Sequence, residues 1–132
     1  MKARRIAVLR PRRIQPVVWI IDLEQWPRAL LRAELIERGY DAYGFMNISD
    51  ALAAFSERKS PRPAAVVLEL RGQDVTRRII DEIRNMSAPV ILLGGNTELN
   101  DPALNSEMAA VLPRPVSLGT IADTVEQILQ RV

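Results

Sequence analysis

Short apolar runs alternate with amphipathic stretches along most of this chain. Five runs have the length and the apolar or β-branched composition of strands, at residues 17–22, 40–45, 64–70, 90–93 and 109–112. The third run is apolar up to Glu69, which is typical of a central strand covered on both faces. This alternation predicts an α/β fold, in which helices cover both faces of a parallel sheet.

The stretches between these runs have the features of helices. Pro27 suits the first turn of a helix, and Gly39 is placed to end it. The inward stripe predicted for this helix consists of Leu30, Leu31, Leu35 and Ile36. Further helices are predicted at residues 49–58 and 75–86, and the second of these is expected to turn three isoleucines inward: Ile79, Ile80 and Ile83.

The last part of the chain has a less regular pattern. Glycine, asparagine and proline dilute any helical periodicity between residues 94 and 108, so we expect a short or distorted fourth helix there. Ser117 is placed to cap a last helix, whose apolar residues recur at helical spacing at Ile121, Val125, Ile128 and Leu129. The sequence therefore predicts five strands and five helices without an internal domain boundary.

Composition narrows the classes of function. A chain of 132 residues with 48% hydrophobic and 26% charged residues is typical of one globular domain. It has no cysteine and no histidine, which excludes disulfides, cysteine nucleophiles, Ser-His-Asp catalysis and a phosphohistidine in this chain. Its longest apolar runs, such as residues 17–21, are far shorter than the roughly 20 residues that span a bilayer, so we expect a cytoplasmic protein without membrane contact.

Residues 1–16 form a basic extension ahead of the predicted domain at residues 17–132. Its positive charges come from Lys2, Arg4, Arg5, Arg10, Arg12 and Arg13, with no acidic residue among them. Such an arm attracts acidic partners, but it has no aromatic residue for base stacking and no folded motif that reads nucleic acid. We expect a solvated leader or a weak docking strand, and any nucleic-acid contact would involve this arm alone.

Four segments together carry a family resemblance. They are Trp-Ile-Ile-Asp-Leu-Glu at residues 19–24, Pro-Ala-Ala-Val-Val-Leu-Glu-Leu at 63–70, Pro-Val-Ile-Leu-Leu-Gly at 89–94 and Leu-Pro-Arg-Pro-Val-Ser-Leu at 112–118. In this order and spacing, residues 17–132 resemble a response-regulator receiver domain of the chemotaxis-regulator type. The resemblance implies a flavodoxin-like, doubly wound sheet of five parallel strands in the order 2-1-3-4-5, and a role in bacterial two-component or phosphorelay signalling.

The resemblance also implies a pocket at the carboxyl ends of the strands, where open α/β sheets bind ligands. In the family this pocket holds an acidic pair, a phospho-accepting aspartate, a Thr or Ser, and a Lys followed by Pro, with a rotating aromatic residue nearby. The corresponding residues here are, in the same order, Asp22 and Leu23, Glu69, Gly94, Arg114 and Pro115, and Val111 at the aromatic switch position. Of the polar family residues, only Asp22 is kept outright.

These departures change the chemistry that the resemblance implies. Leu23 replaces an oxygen ligand, so Asp22 and Glu69 remain as a poor pair of candidates for Mg²⁺, and we expect metal binding to be weak or absent and no cofactor. Glu69 is about one methylene longer than an aspartate and more naturally imitates a phosphorylated side chain than accepts a phosphoryl group. We predict an ion pair between Arg114 and Glu69, and a cis peptide bond between Arg114 and Pro115.

Simpler interpretations stay open for several of these residues. Glu69 is also consistent with a solvated acid at a strand end, and Asp22 with a carboxylate that caps nearby backbone amides. Trp26 suits a hydrophobic lid over the first helix better than a ligand platform. The Gly-Gly-Asn sequence at residues 94–96 is expected to be a loop, because it lacks the Lys-Ser/Thr ending of a phosphate-binding loop.

The leading functional hypothesis is a pseudo-receiver that is not an enzyme and acts by protein contact without phosphorylation, alone or as part of a larger regulator. Its partner would be a signalling protein or a second copy, as in a homodimer, bound to the face made of the fourth helix, fifth strand and last helix. One alternative is a receiver still phosphorylated with Mg²⁺ at an unusual acceptor. Another is a small-ligand sensor in which Leu23, Trp26 and Gly94 reshape the pocket.

Overall fold

The computed structural model describes residues 15–130, so most of the predicted basic extension and residues 131–132 lie outside the described residues. Ten elements follow one another along the chain: β1 Val17–Ile21, α1 Gln25–Glu37, β2 Asp41–Phe45, α2 Ile48–Ser56, β3 Ala65–Glu69, α3 Arg77–Arg84, β4 Val90–Gly94, α4 Pro102–Ser106, β5 Ala110–Pro113 and α5 Leu118–Leu129. None of the helices in this described part is long and apolar enough to cross a membrane.

The five strands form one parallel sheet in the order β2-β1-β3-β4-β5. This is the predicted flavodoxin-like order. Strand β3 lies at the centre, and its register pairs Glu69 with Leu93 of β4, while Gly94 of β4 pairs with Pro113 of β5. Because all strands run in the same direction, the residues that end β1, β3, β4 and β5 meet at one edge of the sheet.

Alternate residues of the central strands enter two separate apolar cores. On one face, Ile20 and Val67 pack with Leu35 of α1 and Val125 of α5. On the other face, Trp19 packs with residues of α2 and α3, including Ile48, Ala51, Ile80 and Ile83. Each residue of β3 and β4 is buried, which explains their continuous apolar sequence.

Side-chain caps begin most of the helices. The side chains of Asn47, Thr76, Asp101 and Ser117 accept backbone N–H bonds at the starts of α2, α3, α4 and α5, respectively. Helix α1 has no such cap. Gly39 follows α1 with φ of +95°, a left-handed conformation that glycine adopts without strain, and this confirms its predicted position at the helix end.

Arginine side chains also tie elements together at the surface. Arg38, just after α1, makes ion pairs with Glu34, with Asp123 of α5 at 2.7 Å, and with Glu126 of α5. Hydrogen bonds to Asp123, Glu34 and Glu126 raise the pKa of Arg38 above its usual range. This cluster, the Arg38 clamp, joins the C-terminal end of α1 to α5.

The structure corrects some details of the sequence-based predictions. Leu30 and Ile36 are 52% and 45% exposed, so the predicted inward stripe of α1 is too wide. Leu31 and Leu35, one helical turn apart, are its buried residues, and the other two lie to either side of them. Helix α3 is shorter than the range predicted for it, residues 75–86, and its Ile79 is only partly buried. The bounds of the strands differ from the predicted bounds by one residue.

Candidate functional site

Two buried carboxylates lie at the strand-end edge of the sheet. Asp22 directly follows β1 and is 6% exposed, and Glu69 ends β3 and is 3% exposed. They are the only buried polar or charged side chains among residues 15–130. Buried charges need partners, so the surroundings of these two residues determine what the pocket can do. The interpretation of Glu69 as a solvated acid is wrong.

Both carboxylates accept a backbone N–H from two residues further along the chain. Glu69 Oε2 accepts from the Arg71 backbone N–H at 3.0 Å, and Asp22 Oδ1 accepts from the Glu24 backbone N–H at 2.9 Å. Acidic side chains commonly close such local turns. The amide-capping interpretation of Asp22 is therefore confirmed, and the same turn occurs after β3.

Arg114 supplies the nearest countercharge to Glu69. Its Nη1 atom lies 3.0 Å from Glu69 Oε1, so the predicted ion pair is present. Nη1 has no partner in hydrogen-bond geometry among the described residues, so the contact is electrostatic and not a directional hydrogen bond. Arg114 is followed by Pro115 through a cis peptide bond, also as predicted.

Glu98 is a second partner of Arg114, and the sequence analysis missed it. Its Oε1 atom is 3.2 Å from Arg114 Nη2 and accepts the Gly95 backbone N–H at 2.7 Å. The guanidinium therefore lies between the carboxylates of Glu69 and Glu98. In the sequence, Glu98 is one acid in an irregular loop, and no periodicity distinguishes it from other loop acids.

Gly94 makes room for Glu98. A Cβ atom at position 94 would lie 3.2 Å from Glu98 Oε1, 3.3 Å from Glu98 Cβ and 3.3 Å from Leu99 Cδ2. These separations are tighter than ordinary van der Waals contact. The missing side chain at position 94 is thus matched by the carboxylate of Glu98, which occupies the adjacent space.

Burial dominates the ionisation of Glu69. It raises the pKa of Glu69 above its ordinary value, and the negative charge of Asp22 acts in the same direction. The Arg71 N–H bond and the positive charges of Arg114 and Arg71 oppose this effect without cancelling it. Glu69 thus keeps its proton to higher pH than a solvated glutamate.

The residues present do not fit a Mg²⁺ site. Leu23 has no oxygen ligand, and its side chain lies against the loop after β3, where a Cβ atom at Gly72 would be 2.5 Å from Leu23 Cδ1. Guanidinium groups approach both candidate carboxylates, with Arg114 at 3.0 Å from Glu69 and Arg71 at 3.9 Å from Asp22. Mg²⁺ prefers near-octahedral oxygen coordination, which this arrangement does not offer.

Other predicted site residues lie away from these charges. Val111 of β5 pairs with Leu92 and packs in the core on the α2 and α3 face. Trp26 in α1 is 75% exposed, so the prediction of a hydrophobic lid is wrong. As an early residue of a helix, Trp26 points to solvent, while Leu31 and Leu35 of the same helix face the sheet.

A cavity of about 320 Å³ opens beside the carboxylates, between α1 and α5. Its apolar wall comes from both helices and from the strand residues Ile20, Val67 and Leu93. Its charged lining consists of Asp22, Glu24, Glu69, Arg71 and Arg114. Leu23, Trp26 and Gly94 are not among its lining residues.

Comparison with solved structures identifies the fold. A response regulator receiver protein from Pseudomonas putida matches with a TM-score of 0.73 and 23% identity over 88% of this chain and 99% of that one. A chemotaxis response regulator of Vibrio cholerae matches with a TM-score of 0.70 and 16% identity, over 87% of this chain and 99% of that one. A response regulator receiver protein from Burkholderia phymatum matches with a TM-score of 0.68 and 22% identity, over 87% of this chain and 95% of that one.

The chain therefore has the fold of response-regulator receiver domains. No protein-family model matches its sequence. A search of curated proteins also gave no match. The structural likeness thus establishes the architecture.

Proposed function

We propose that this chain is a receiver-like module of bacterial two-component signalling that acts by protein contact and without phosphorylation. It shares its fold with response-regulator receiver proteins. The observation that carries the second half of the proposal is the position of Arg114 between two carboxylates of its own chain, at 3.0 Å from Glu69 and 3.2 Å from Glu98.

Phosphoryl transfer relies on positive charges that neutralise the oxygens of the transferred group. Here the charge of Arg114 is already shared by Glu69 and Glu98, and the Gly95 N–H that borders the pocket already donates to Glu98. An incoming phosphate would meet these carboxylates without Mg²⁺ to screen them. The positive charge of Arg114 is thus neutralised by carboxylates of its own chain.

Glu69 is also poorly placed to act as a nucleophile. One of its oxygens accepts the Arg71 N–H and the other faces the Arg114 guanidinium. Both oxygens of its carboxylate therefore already have contacts within the chain. These contacts support a module that has no enzymatic activity of its own.

The first experiment incubates the protein with Mg²⁺ and acetyl phosphate or phosphoramidate, followed by intact-mass measurement. We expect the wild-type chain to gain no phosphoryl mass. A receiver domain that takes up phosphate from the same donor serves as the positive control, and Glu69→Asp with Leu23→Asp tests whether restored acids recover the reaction.

A phosphoryl adduct on the wild-type chain would show that the alternative, a receiver with an unusual acceptor, is correct. Peptide mapping would then locate the acceptor. An adduct that disappears in Glu69→Gln would assign it to Glu69 itself, and the proposal of phosphorylation independence would be abandoned.

We place the partner surface on α4, β5 and α5. Strand β5 is the edge strand of the sheet and is only half-buried, and α4 has no buried residue, so this side presents accessible backbone and side chains. The expected occupants are a signalling protein or a second copy of the chain, in the cytoplasm.

Exposed alanines offer a matched test of this surface. Ala103 lies on α4, and Ala53 lies on α2, which contacts β2 at the edge of the sheet opposite β5. In sedimentation velocity experiments at rising concentration, we expect Ala103→Arg to weaken self-association or partner binding and Ala53→Arg to leave it unchanged. Equal weakening by both variants would place the contact elsewhere.

A further inference from the structure

We propose that the outer face of α1 pairs with the same face of a second copy of this chain, with the two helices parallel. Leu31 and Leu35 of α1 face the sheet, and the opposite side of the helix faces solvent. That side, the outer stripe, consists of five exposed apolar residues: Trp26, Ala29, Leu30, Ala33 and Ile36. It is separate from the α4, β5 and α5 surface, which is then left to a signalling protein.

An apolar outer face is unusual for a helix that covers a sheet. The solvent side of such a helix is ordinarily charged or polar. Here the three large side chains of the stripe, Trp26, Leu30 and Ile36, are all exposed. Single exposed apolar residues are common on proteins, but three on one face of one helix, with alanines between them, form a contiguous surface of the kind that marks a contact site.

The outer stripe has the spacing of a seam between paired helices. Residues 26, 29, 33 and 36 recur at intervals of three, four and three residues, which is the spacing of the seam in a parallel helix pair. The two alanines lie in the middle and allow close approach, and Trp26 and Ile36 lie at the ends, where crossing helices diverge. Ala29, Ala33 and Ile36 also line a groove between α1 and Gly44 of β2, which gives room for side chains of a partner.

Two charges of opposite sign flank the outer stripe, one on each side. Arg32 and Glu37 are both exposed, and neither takes part in an ion pair within residues 15–130, whereas Glu34 of the same helix is paired with Arg38. Arg32 Nε donates to the Ala42 carbonyl oxygen at 2.8 Å, which leaves the two Nη groups to a partner. The stripe is thus bordered by one donor and one acceptor that have not met each other.

The positions of these charges select a second copy in parallel orientation. Flanking residues of two parallel helices meet when they are five residues apart, as Arg32 and Glu37 are. Because a two-fold interface repeats each contact, Arg32 of either copy then lies beside Glu37 of the partner subunit. An antiparallel pair would set each flank against its own kind, arginine beside arginine. The seam is one face of a helix of 13 residues, so we expect weak dimerisation that depends on concentration.

The two tryptophans provide a direct measurement, because Trp26 is exposed and Trp19 is fully buried. We expect the sedimentation coefficient to rise with protein concentration and acrylamide quenching of tryptophan fluorescence to fall, as Trp26 becomes covered. Ala33→Arg, in the middle of the outer stripe, should weaken dimerisation at least about tenfold. Ala53→Arg on α2 and Ala103→Arg on α4 make the same change at exposed alanines elsewhere and should leave it unchanged.

A charge exchange tests the occupant and its orientation together. Arg32→Glu sets acid against acid across a pair of its own copies, and Glu37→Arg sets base against base. We expect each variant alone to dimerise at least about tenfold more weakly than the wild type. An equal mixture of the two restores both opposite-charge contacts and should dimerise like the wild type. Both positions are exposed, and circular dichroism verifies that the variants are folded.

Three results would overturn the inference. They are a wild-type chain that stays monomeric at the highest concentration measured, a dimer that Ala103→Arg dissociates and Ala33→Arg does not, and a mixture of the charge variants that associates no better than either variant alone. None of these results bears on phosphoryl uptake or on contact with a signalling protein, so the proposed function stands or falls by its own tests.

Discussion

At the scale of single residues, the pocket depends on the environment of one buried acid. Glu69 could be identified from the sequence because it ends a continuous apolar strand, and its pairing with Arg114 followed from the resemblance and from guanidinium chemistry. Glu98 could not be identified, because it reaches the pocket from a loop and its role depends on space left by Gly94. Close approach of a loop to a strand end leaves no periodic pattern in a sequence.

Removal of Arg114 is expected to destabilise the fold. Arg114→Met leaves Glu69 buried without its nearest countercharge, and the loss of one partner of a buried ion pair costs about 3 kcal/mol. Urea denaturation at neutral pH measures this loss. The cost should shrink in acid, where Glu69 is protonated in both proteins, and a loss that is independent of pH would contradict the argument.

Glu69→Gln is expected to change the pH dependence of stability. The pKa of Glu69 is raised in the folded chain above the value of 4.5 for a solvated glutamate, so its contribution is fully present below about pH 4.5 and is lost as the pH rises through the folded pKa. Glutamine does not titrate. The free energy of unfolding of the variant, relative to wild type, should therefore increase as the pH rises.

Chemical denaturation at a series of pH values provides this comparison. Asp81→Asn on α3 is a suitable control, because Asp81 is an exposed partner of Arg77. A difference between Glu69→Gln and wild type that stays constant across the series would show that burial does not govern the ionisation of Glu69.

At the scale of elements, the sequence predicted what local chemistry determines. The cap of α5 at Ser117, the glycine after α1 and the short α4 are all confirmed, because each depends on residues close together in the chain. In contrast, the buried stripe predicted for α1 was too wide, because Leu30 and Ile36 are exposed. Which side of an apolar helix faces the sheet depends on packing with α5 and the strands, and helical spacing alone does not include those neighbours.

The Arg38 clamp between α1 and α5 should be sensitive to salt. Arg38→Met removes ion pairs to Asp123 and Glu126 on the neighbouring helix, so we expect a lower midpoint of thermal unfolding at low ionic strength. Screening weakens exposed ion pairs, and the difference from wild type should narrow in concentrated salt. Lys59→Met, which removes an exposed pair with Glu57, serves as the control.

At the scale of the whole molecule, the architecture has a stronger sequence signal than the site does. The strand order was predicted from a resemblance spread over four segments, and the solved receiver domains share it at identities of 23% or less. Many different apolar residues can build the same two cores. A pocket depends on a few specific atoms, so Leu23, Gly94 and Glu98 change its chemistry while the sheet stays the same.

The Arg38 clamp joins α1 to α5 at a distance from the cavity that these two helices line. The clamp holds the C-terminal end of α1, whereas the charged side of the cavity lies near the start of α1, after the end of β1. The ion pairs of Arg38 with Asp123 and Glu126 therefore couple the position of α5 to that of α1. A partner that displaced α5 at the proposed surface would therefore also disturb the cavity that α1 and α5 both line.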